Sequence, residues 1–137
     1  MNQVYFVIPG EPRGKQRPRV TRAGHAYTPQ ETVVYENLVK MEFLNQCPGK
    51  KLNGQLRMTI SAFFAIAASV SHKKRNQMLN GEIRPTKKPD VDNITKIVAD
   101  SLNKIAYDDD SQIVTATTEK IFSENPRVEV FIMEMTN

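Results

Sequence analysis

The residues best equipped for chemistry lie in two short runs, Asp90-Val91-Asp92-Asn93-Ile94-Thr95-Lys96 and Asp108-Asp109-Asp110. An extended backbone over residues 90–92 would project both carboxylates to the same side, about 7 Å apart at the Cα atoms, so that both could point at one cation. Asp92 or Asn93 can also begin a helix, because a side-chain oxygen acceptor is favoured at that position. Lys96 then lies one helical turn beyond Asp92 on the same face. Mg²⁺ is a hard cation that takes a few carboxylates together with waters and phosphate oxygens. A chain with one Cys and two His offers little to softer metals. Mg²⁺ held there would polarise a phosphodiester, orient water and stabilise the leaving oxygen. Lys96 would stabilise charge on the transition-state phosphorane or help to activate the water.

Simpler readings stand beside these. Asp-x-Asp-Asn on its own is also a common turn or helix cap, and Asp108-Asp109-Asp110 also reads as a solvated loop. Asp100 has the spacing to pair with Lys96 or Lys104 at i±4. A calcium loop of the EF-hand type is excluded, because Ile94 occupies the third ligand position and no Gly or terminal Glu follows in place. Cys47 and the methionines read as packing residues, and His25 and His72 as surface residues within basic segments. A helix of about 14 residues is about 20 Å long, so Asp110 meets Asp90 and Asp92 only if the chain doubles back after it.

Charge is segregated along the chain far more than its net +4 suggests. Residues 10–29 carry Arg13, Lys15, Arg17, Arg19 and Arg22 against Glu11 alone. Residues 72–88 carry Lys73, Lys74, Arg75, Arg84, Lys87 and Lys88 against Glu82 alone. Residues 90–110 reverse the sign, with Asp90, Asp92, Asp100, Asp108, Asp109 and Asp110 against Lys96 and Lys104. Basic arms attract a polyanion, and clustered carboxylates repel it unless a cation lies between. The map fits a metal-dependent enzyme acting on nucleic acid.

The elements that must position these groups follow from periodicity. Residues 4–8 are a short apolar run closed by Pro9-Gly10, expected as a buried strand. Residues 10–29 are expected as a long irregular loop, rich in Gly and Pro. Thr28, Pro29 and Glu31 predict a helix start with Thr28 as N-cap, Pro29 at the first helical position and Glu31 completing a capping box. That helix would bury Val34, Leu38, Met41 and Leu44 and stop at Pro48-Gly49. Residues 55–66 alternate as a half-buried strand, and residues 69–80 read as a short helix followed by a basic loop. Residues 92–105 are the strongest helix, with Ile94, Ile97, Val98, Ser101, Leu102 and Ile105 at helical spacing. Residues 114–122 and 127–135 read as strands paired in a hairpin through the turn at 123–126. The expected class is α+β: one small domain over residues 1–137, a mixed sheet with helices on one face. A single Cys excludes an internal disulfide framework. The longest apolar stretch, residues 58–70, is too short to cross a bilayer, and the N-terminus lacks signal-peptide character. A cytoplasmic location is the expectation.

The residues at 88–114 also resemble a known family. Lys88-Pro89-Asp90-Val91-Asp92-Asn93-Ile94-Thr95-Lys96, then Asp100-Ser101-Leu102 and Asp109-Asp110-Ser111-Gln112-Ile113-Val114, is similar to the RusA family of Holliday junction resolvases. That pattern is an Asp-x-Asp-Asn-x-x-Lys helix start, a short helix and an Asp-Asp-x-Gln-Val end. The match covers about a fifth of the chain. Gly10-x-Pro12, Lys15-x-Arg17-Pro18-Arg19 and Tyr27-Thr28-Pro29 look like the opening of a phage and Gram-positive branch. The resemblance implies a RusA-like fold and a homodimeric, Mg²⁺-dependent endonuclease, with Mn²⁺ as a substitute, that cuts four-way DNA junctions by paired symmetric nicks. It implies Asp90, Asp92 and Asp110 as metal ligands, with Asp109 as an alternative, and Lys96 as the catalytic lysine. Asp108 departs from the pattern by adding a third Asp to the run. Arg13, Lys15, Arg17, Arg19, Arg22, Lys73, Lys74, Arg75, Lys87 and Lys88 would hold junction arms through their phosphates. Other classes consistent with the sequence are a branched-DNA-binding protein without catalysis and a nuclease for other branched DNA.

Overall fold

Alternation decides the centre of the molecule. In β4 (Leu56–Phe64) the residues Leu56, Met58, Ile60, Ala62 and Phe64 all point to one face, and all are buried. β1 (Gln3–Pro9) and β6 (Arg127–Glu134) add Val4, Phe6 and Ile8 and Val128, Val130 and Ile132 to the same face. Burying a side chain of this size contributes about 1.5–3 kcal/mol. The computed structural model describes residues 2–135. It is a mixed α+β molecule whose four-stranded sheet runs β1-β6-β4-β5, with β5 at Ile113–Phe122. β1 and β4 both pair antiparallel with β6, while β5 pairs parallel with β4.

The expected hairpin between the last two strands does not form. Both strands exist and a short turn joins them, but β4 lies between them. The connection passes over the end of β4, where the Ser123 N–H donates to the Phe64 carbonyl at 2.9 Å. Composition accounts for the order: β5 carries Thr115, Thr117, Thr118, Glu119 and Lys120 and is only partly buried, as suits an edge. β4, apolar on every second residue, takes an interior position beside β6.

Because β4 and β5 are parallel, residues 65–112 form the crossover between them. This crossover contains α2 (His72–Leu79), the basic loop and α3 (Val91–Ser101). α3 ends earlier than its apolar spacing suggests. Leu102 closes it, and the chain turns through Lys104, which has a positive φ. Ile94, Ile97, Val98 and Leu102 are fully buried in the core, joined by Ala106 and Tyr107 from the turn beyond.

α1 (Gln30–Gln46) departs from expectation at its start and in its buried face. Pro29 is the N-cap and no side chain caps the helix, so the Thr28–Glu31 box is absent. The Glu31 carboxylate instead accepts from Gln16 Nε2 at 3.3 Å. Thr32, Tyr35, Val39 and Phe43 face the core, with the Phe43 ring edge-on to Phe6 at 5.4 Å. Val34, Met41 and Leu44 are exposed, and only Leu38 of the expected row packs on the core.

The segment at 10–29 is not wholly irregular. β2 (Arg19–Val20) and β3 (Ala26–Tyr27) form a small antiparallel ribbon, turned through Gly24 at φ +84°. The strand at the N-terminus, the 55–66 strand and the short helix at 69–80 appear close to their expected bounds.

Candidate functional site

α3 carries the first Asp run on its exposed side. Lys88-Pro89 is a cis peptide, and Asp90 is the extended N-cap residue, without a side-chain capping bond. The helix begins at Val91, so the expected extended geometry over Asp90 and Asp92 does not hold: one precedes the helix and the other lies in its first turn. Asp92 there is favoured by the helix dipole. Asp92, Lys96 and Asp100 follow at four-residue steps along one face, with Lys96 Nζ 3.5 Å from Asp100 Oδ2. The side chain of Thr95 meets that of Thr118, fixing this helix against β5.

The three consecutive aspartates have three different jobs. Asp108 pairs with Lys51 at 2.6 Å, and that hydrogen bond and charge hold its carboxyl below the usual range. Asp109 caps the single 3₁₀ turn Asp110–Gln112: its carboxylate accepts the Ser111 N–H at 3.0 Å, and Gln112 Oε1 accepts the Asp109 N–H in return. Those Ser111 hydrogen bonds lower the Asp109 pKa. Asp110 is the member that turns to α3. Its N–H donates to Asn103 Oδ1 at 2.8 Å, and its carboxyl lies near that of Asp100. Partial burial, the Asp109 charge and Asp100 raise the Asp110 pKa, against the lowering effect of Lys96. Buried Tyr107 supports the turn from below, its hydroxyl donating to the Ala99 carbonyl at 2.7 Å.

The chain therefore does double back after α3, but it delivers Asp110 to Asp100 and Lys96. Asp92 lies eight residues before Asp100, about 12 Å along the helix axis. Among the described residues, no three His, Cys, Asp or Glu side chains converge into a group that could hold a metal ion alone. The donors are nevertheless hard oxygens, and Mg²⁺ commonly takes only one or two carboxylates, completing its shell with waters and substrate phosphate. The chemistry of the donor set fits that ion.

Beside the first turn of α3 lies an open groove of about 1000 Å³. Arg13, Arg17 and Arg19 of the N-terminal loop line it together with Lys87 and Lys88. Asp90 and Asp92 line it as well, so acid and base share one recess. Phe64 backs it, with the ammonium groups of Lys87 and Lys120 at 5.9 and 5.2 Å from its ring centre. Arg22 sits in the turn between β2 and β3, and Lys73, Lys74 and Arg75 sit on α2, all outside the groove lining. Arg75 is engaged with Glu124 at 2.8 Å.

The loop is fastened to α3 at two points. The Lys15 N–H donates to the Asn93 carbonyl at 2.9 Å. Gly14 packs so closely that an added Cβ would stand 2.8 Å from Pro89 Cβ and 2.9 Å from Asn93 Cβ. Lys15 also reaches inward, to Glu36 at 2.7 Å and Asp100 at 3.4 Å. Glu36 and Asn103 are members of this constellation that sequence reasoning did not single out, and Gln112 was visible only within the Asp-Asp-x-Gln-Val pattern. Asp100 was visible as a partner for Lys96 or Lys104 and as part of the family pattern, without a role at the site.

Comparison with known proteins agrees with the motif. The family model for the endodeoxyribonuclease RusA matches residues 9–133. YqaN of Bacillus subtilis (strain 168), an uncharacterized protein, is 37% identical over 141 aligned residues, covering 99% of both chains. The crossover junction endodeoxyribonuclease rusA of Lactococcus phage r1t is 34% identical over 84 residues, which span 61% of this chain and 57% of the phage protein. With a family match running through nearly all its elements, the chain belongs to the RusA endodeoxyribonuclease family.

Proposed function

We propose that this protein is a divalent-metal-dependent endonuclease that resolves four-way DNA junctions. The observation that carries this reading is that Asp90 and Asp92 share a groove with Arg13, Arg17, Arg19, Lys87 and Lys88, in whose lining cations outnumber the four acids, Glu11, Glu31, Asp90 and Asp92. The cations attract a phosphate backbone, while the carboxylates repel it unless a metal lies between. Asp90, Asp92 and Asp110 are the proposed metal ligands, and Mg²⁺ the proposed ion. When bound, that ion supplies Lewis-acid activation of the phosphodiester and of water.

The chain's own residues do the rest. The arginines of the N-terminal loop and Lys87 and Lys88 hold the backbone in register without reading sequence. Lys96, 62% exposed at its side chain although paired with Asp100 at 3.5 Å, can reach a phosphate and stabilise the charge that develops on its oxygens. A four-way junction has approximate two-fold symmetry, so a C₂ pair of chains would supply one site for each of two symmetric nicks. Acting on DNA in recombination and repair, such an enzyme would work in the cytoplasm as a single-domain protein.

The test is incubation of wild type, Asp90→Asn and Asp92→Asn with a synthetic junction and Mg²⁺. Both variants should bind the junction, and their cleavage should fall by more than about 100-fold, beyond what loss of an outer-shell partner costs. A second reading, a junction-binding protein without catalysis, is favoured by the distance of Asp110 from Asp90 and Asp92. It predicts no nicking by any form of the protein. Flaps and linear duplex run in parallel separate a junction resolvase from a nuclease of broader choice.

A further inference from the structure

Lys15 looks in sequence like its neighbours Arg13, Arg17 and Arg19, but it is placed differently. Its ammonium lies 2.7 Å from Glu36 Oε2 on α1 and 3.4 Å from Asp100 Oδ2 on α3. Lys15 also contributes to the groove lining, but the three side chains are only 20%, 17% and 22% exposed and the ammonium is turned to the two carboxylates. The three arginines around it are exposed and have no ion pair among the described residues. Burial works to lower the Lys15 pKa, but Glu36 and Asp100 outweigh it and the net shift is upward. The same Asp100 pairs with Lys96 at 3.5 Å, and its carboxyl is close enough to Asp110 to raise the pKa of that group. One ammonium from the N-terminal loop thus neutralises charge at the point where two carboxylates meet.

We infer that Lys15 is a positioning residue and not a phosphate contact: it locks the N-terminal loop to α1 and α3 and holds Asp100 in register with Asp110. Without that cation, Glu36, Asp100 and Asp110 would face one another with Lys96 as the remaining partner, and the carboxylates would splay. Lys15 therefore couples the DNA-holding arm to the acidic centre. Its effect on rate rests on the junction-cleavage reading, whereas its ion pairs do not.

Two measurements test this. In the wild-type protein, acetylation by an N-hydroxysuccinimide ester, read by mass spectrometry, should be slow at Lys15 with and without junction. Lys87 and Lys88 should label readily in the free protein and become protected on binding. Lys15 labelling as fast as Lys88 and becoming protected by DNA would overturn the inference, whether or not the protein cuts junctions. In the second measurement, Lys15→Gln should keep the wild-type salt dependence of junction binding in metal-free buffer. Its Mg²⁺ requirement for half-maximal cleavage should rise about tenfold, the scale of an outer-shell defect, and Lys15→Arg should recover most of the loss. A Lys15→Gln salt slope lower by about one, the mark of one phosphate no longer neutralised, would refute the assignment. So would a lowered melting temperature with slope and metal requirement unchanged.

Discussion

The two basic segments are near twins in sequence, at net +4 over residues 10–29 and +5 over 72–88, yet the fold treats them differently. The first lies as a strap across the start of α3, sealed by Gly14 and Lys15, and presents Arg13, Arg17 and Arg19 to the groove. The second divides. Arg75 and Arg84 turn to Glu124 and Glu119, while Lys87 and Lys88 reach the groove from the far side. Charge counted along a chain thus overstates charge available to a ligand, because a cation already facing a carboxylate has less to offer a phosphate. It also misses the strap's mechanical role.

The contrast between strap and second segment should be greatest at two glycines. Gly14→Val adds carbon where Pro89 and Asn93 already stand within 3 Å. The strap should lift, costing about 1–3 kcal/mol by overpacking, and junction cleavage should fall at least tenfold. Gly81, in the second segment, has open space around it and only a positive φ of 86° to satisfy. Gly81→Ala should cost about 1–2 kcal/mol and leave cleavage intact at temperatures where the protein is folded. Urea unfolding and the junction assay read both, and equal loss of cleavage in the two variants would erase the distinction.

Charge removal is the next lever. Changing Arg13, Arg17 and Arg19 together to Ala should lower the salt slope of junction binding by about 0.9 for each phosphate that is no longer neutralised. Changing Lys73, Lys74 and Arg75 together should lower it less. Fluorescence anisotropy over a salt series measures this, and a larger effect from the α2 set would reverse the assignment of roles.

The smallest effect concerns Asp110, which lies beyond the strap, beside Asp100. The Asp110 pKa is raised, so the folded protein binds that proton more readily than the unfolded chain does. Its contribution to stability is present below the ordinary carboxylate pKa and is lost as pH rises through the folded value. Asp110→Asn should therefore stabilise the metal-free protein at pH 7 by about 1 kcal/mol while impairing cleavage. The difference from wild type, followed by urea unfolding over a pH series, should fade as pH falls below the ordinary carboxylate range.

Much of the scaffold was legible because burial imposed a period. The alternation of Leu56 to Phe64 and the spacing of Ile94, Ile97 and Val98 each admit one buried face. α1 did not, since it has apolar residues on both sides. Tyr35, Val39 and Phe43 compete with Val34, Leu38, Met41 and Leu44, and only packing against β1 and α3 settles which set goes in. The strand order was hidden because the short 123–126 turn looks the same whether it joins neighbours or steps over β4. At the site, the Asp-x-Asp-Asn-x-x-Lys spacing and a helix start within a residue of Val91 were readable, but whether Asp90 and Asp92 lie on one extended stretch was not. Nor were the separate partners of Asp108, Asp109 and Asp110. Lys51, Ser111 and Asp100 choose among them, and one of those three, Lys51, is remote along the chain.

The place of β6 bears on how such a protein could be made. This strand follows every other described element in the sequence, yet it sits inside the sheet, flanked by β1 on one side and β4 on the other. During synthesis, which runs from the N-terminus, β1 and β4 would leave the ribosome with the surface between them unfilled. The sheet that supports α3 could close only when residues 127–134 had emerged. Long-range pairing of this kind also slows folding. A nascent chain would thus carry all of its aspartates and nearly all of its basic residues before it had a frame on which to align them, a built-in delay between translation and any cutting of DNA.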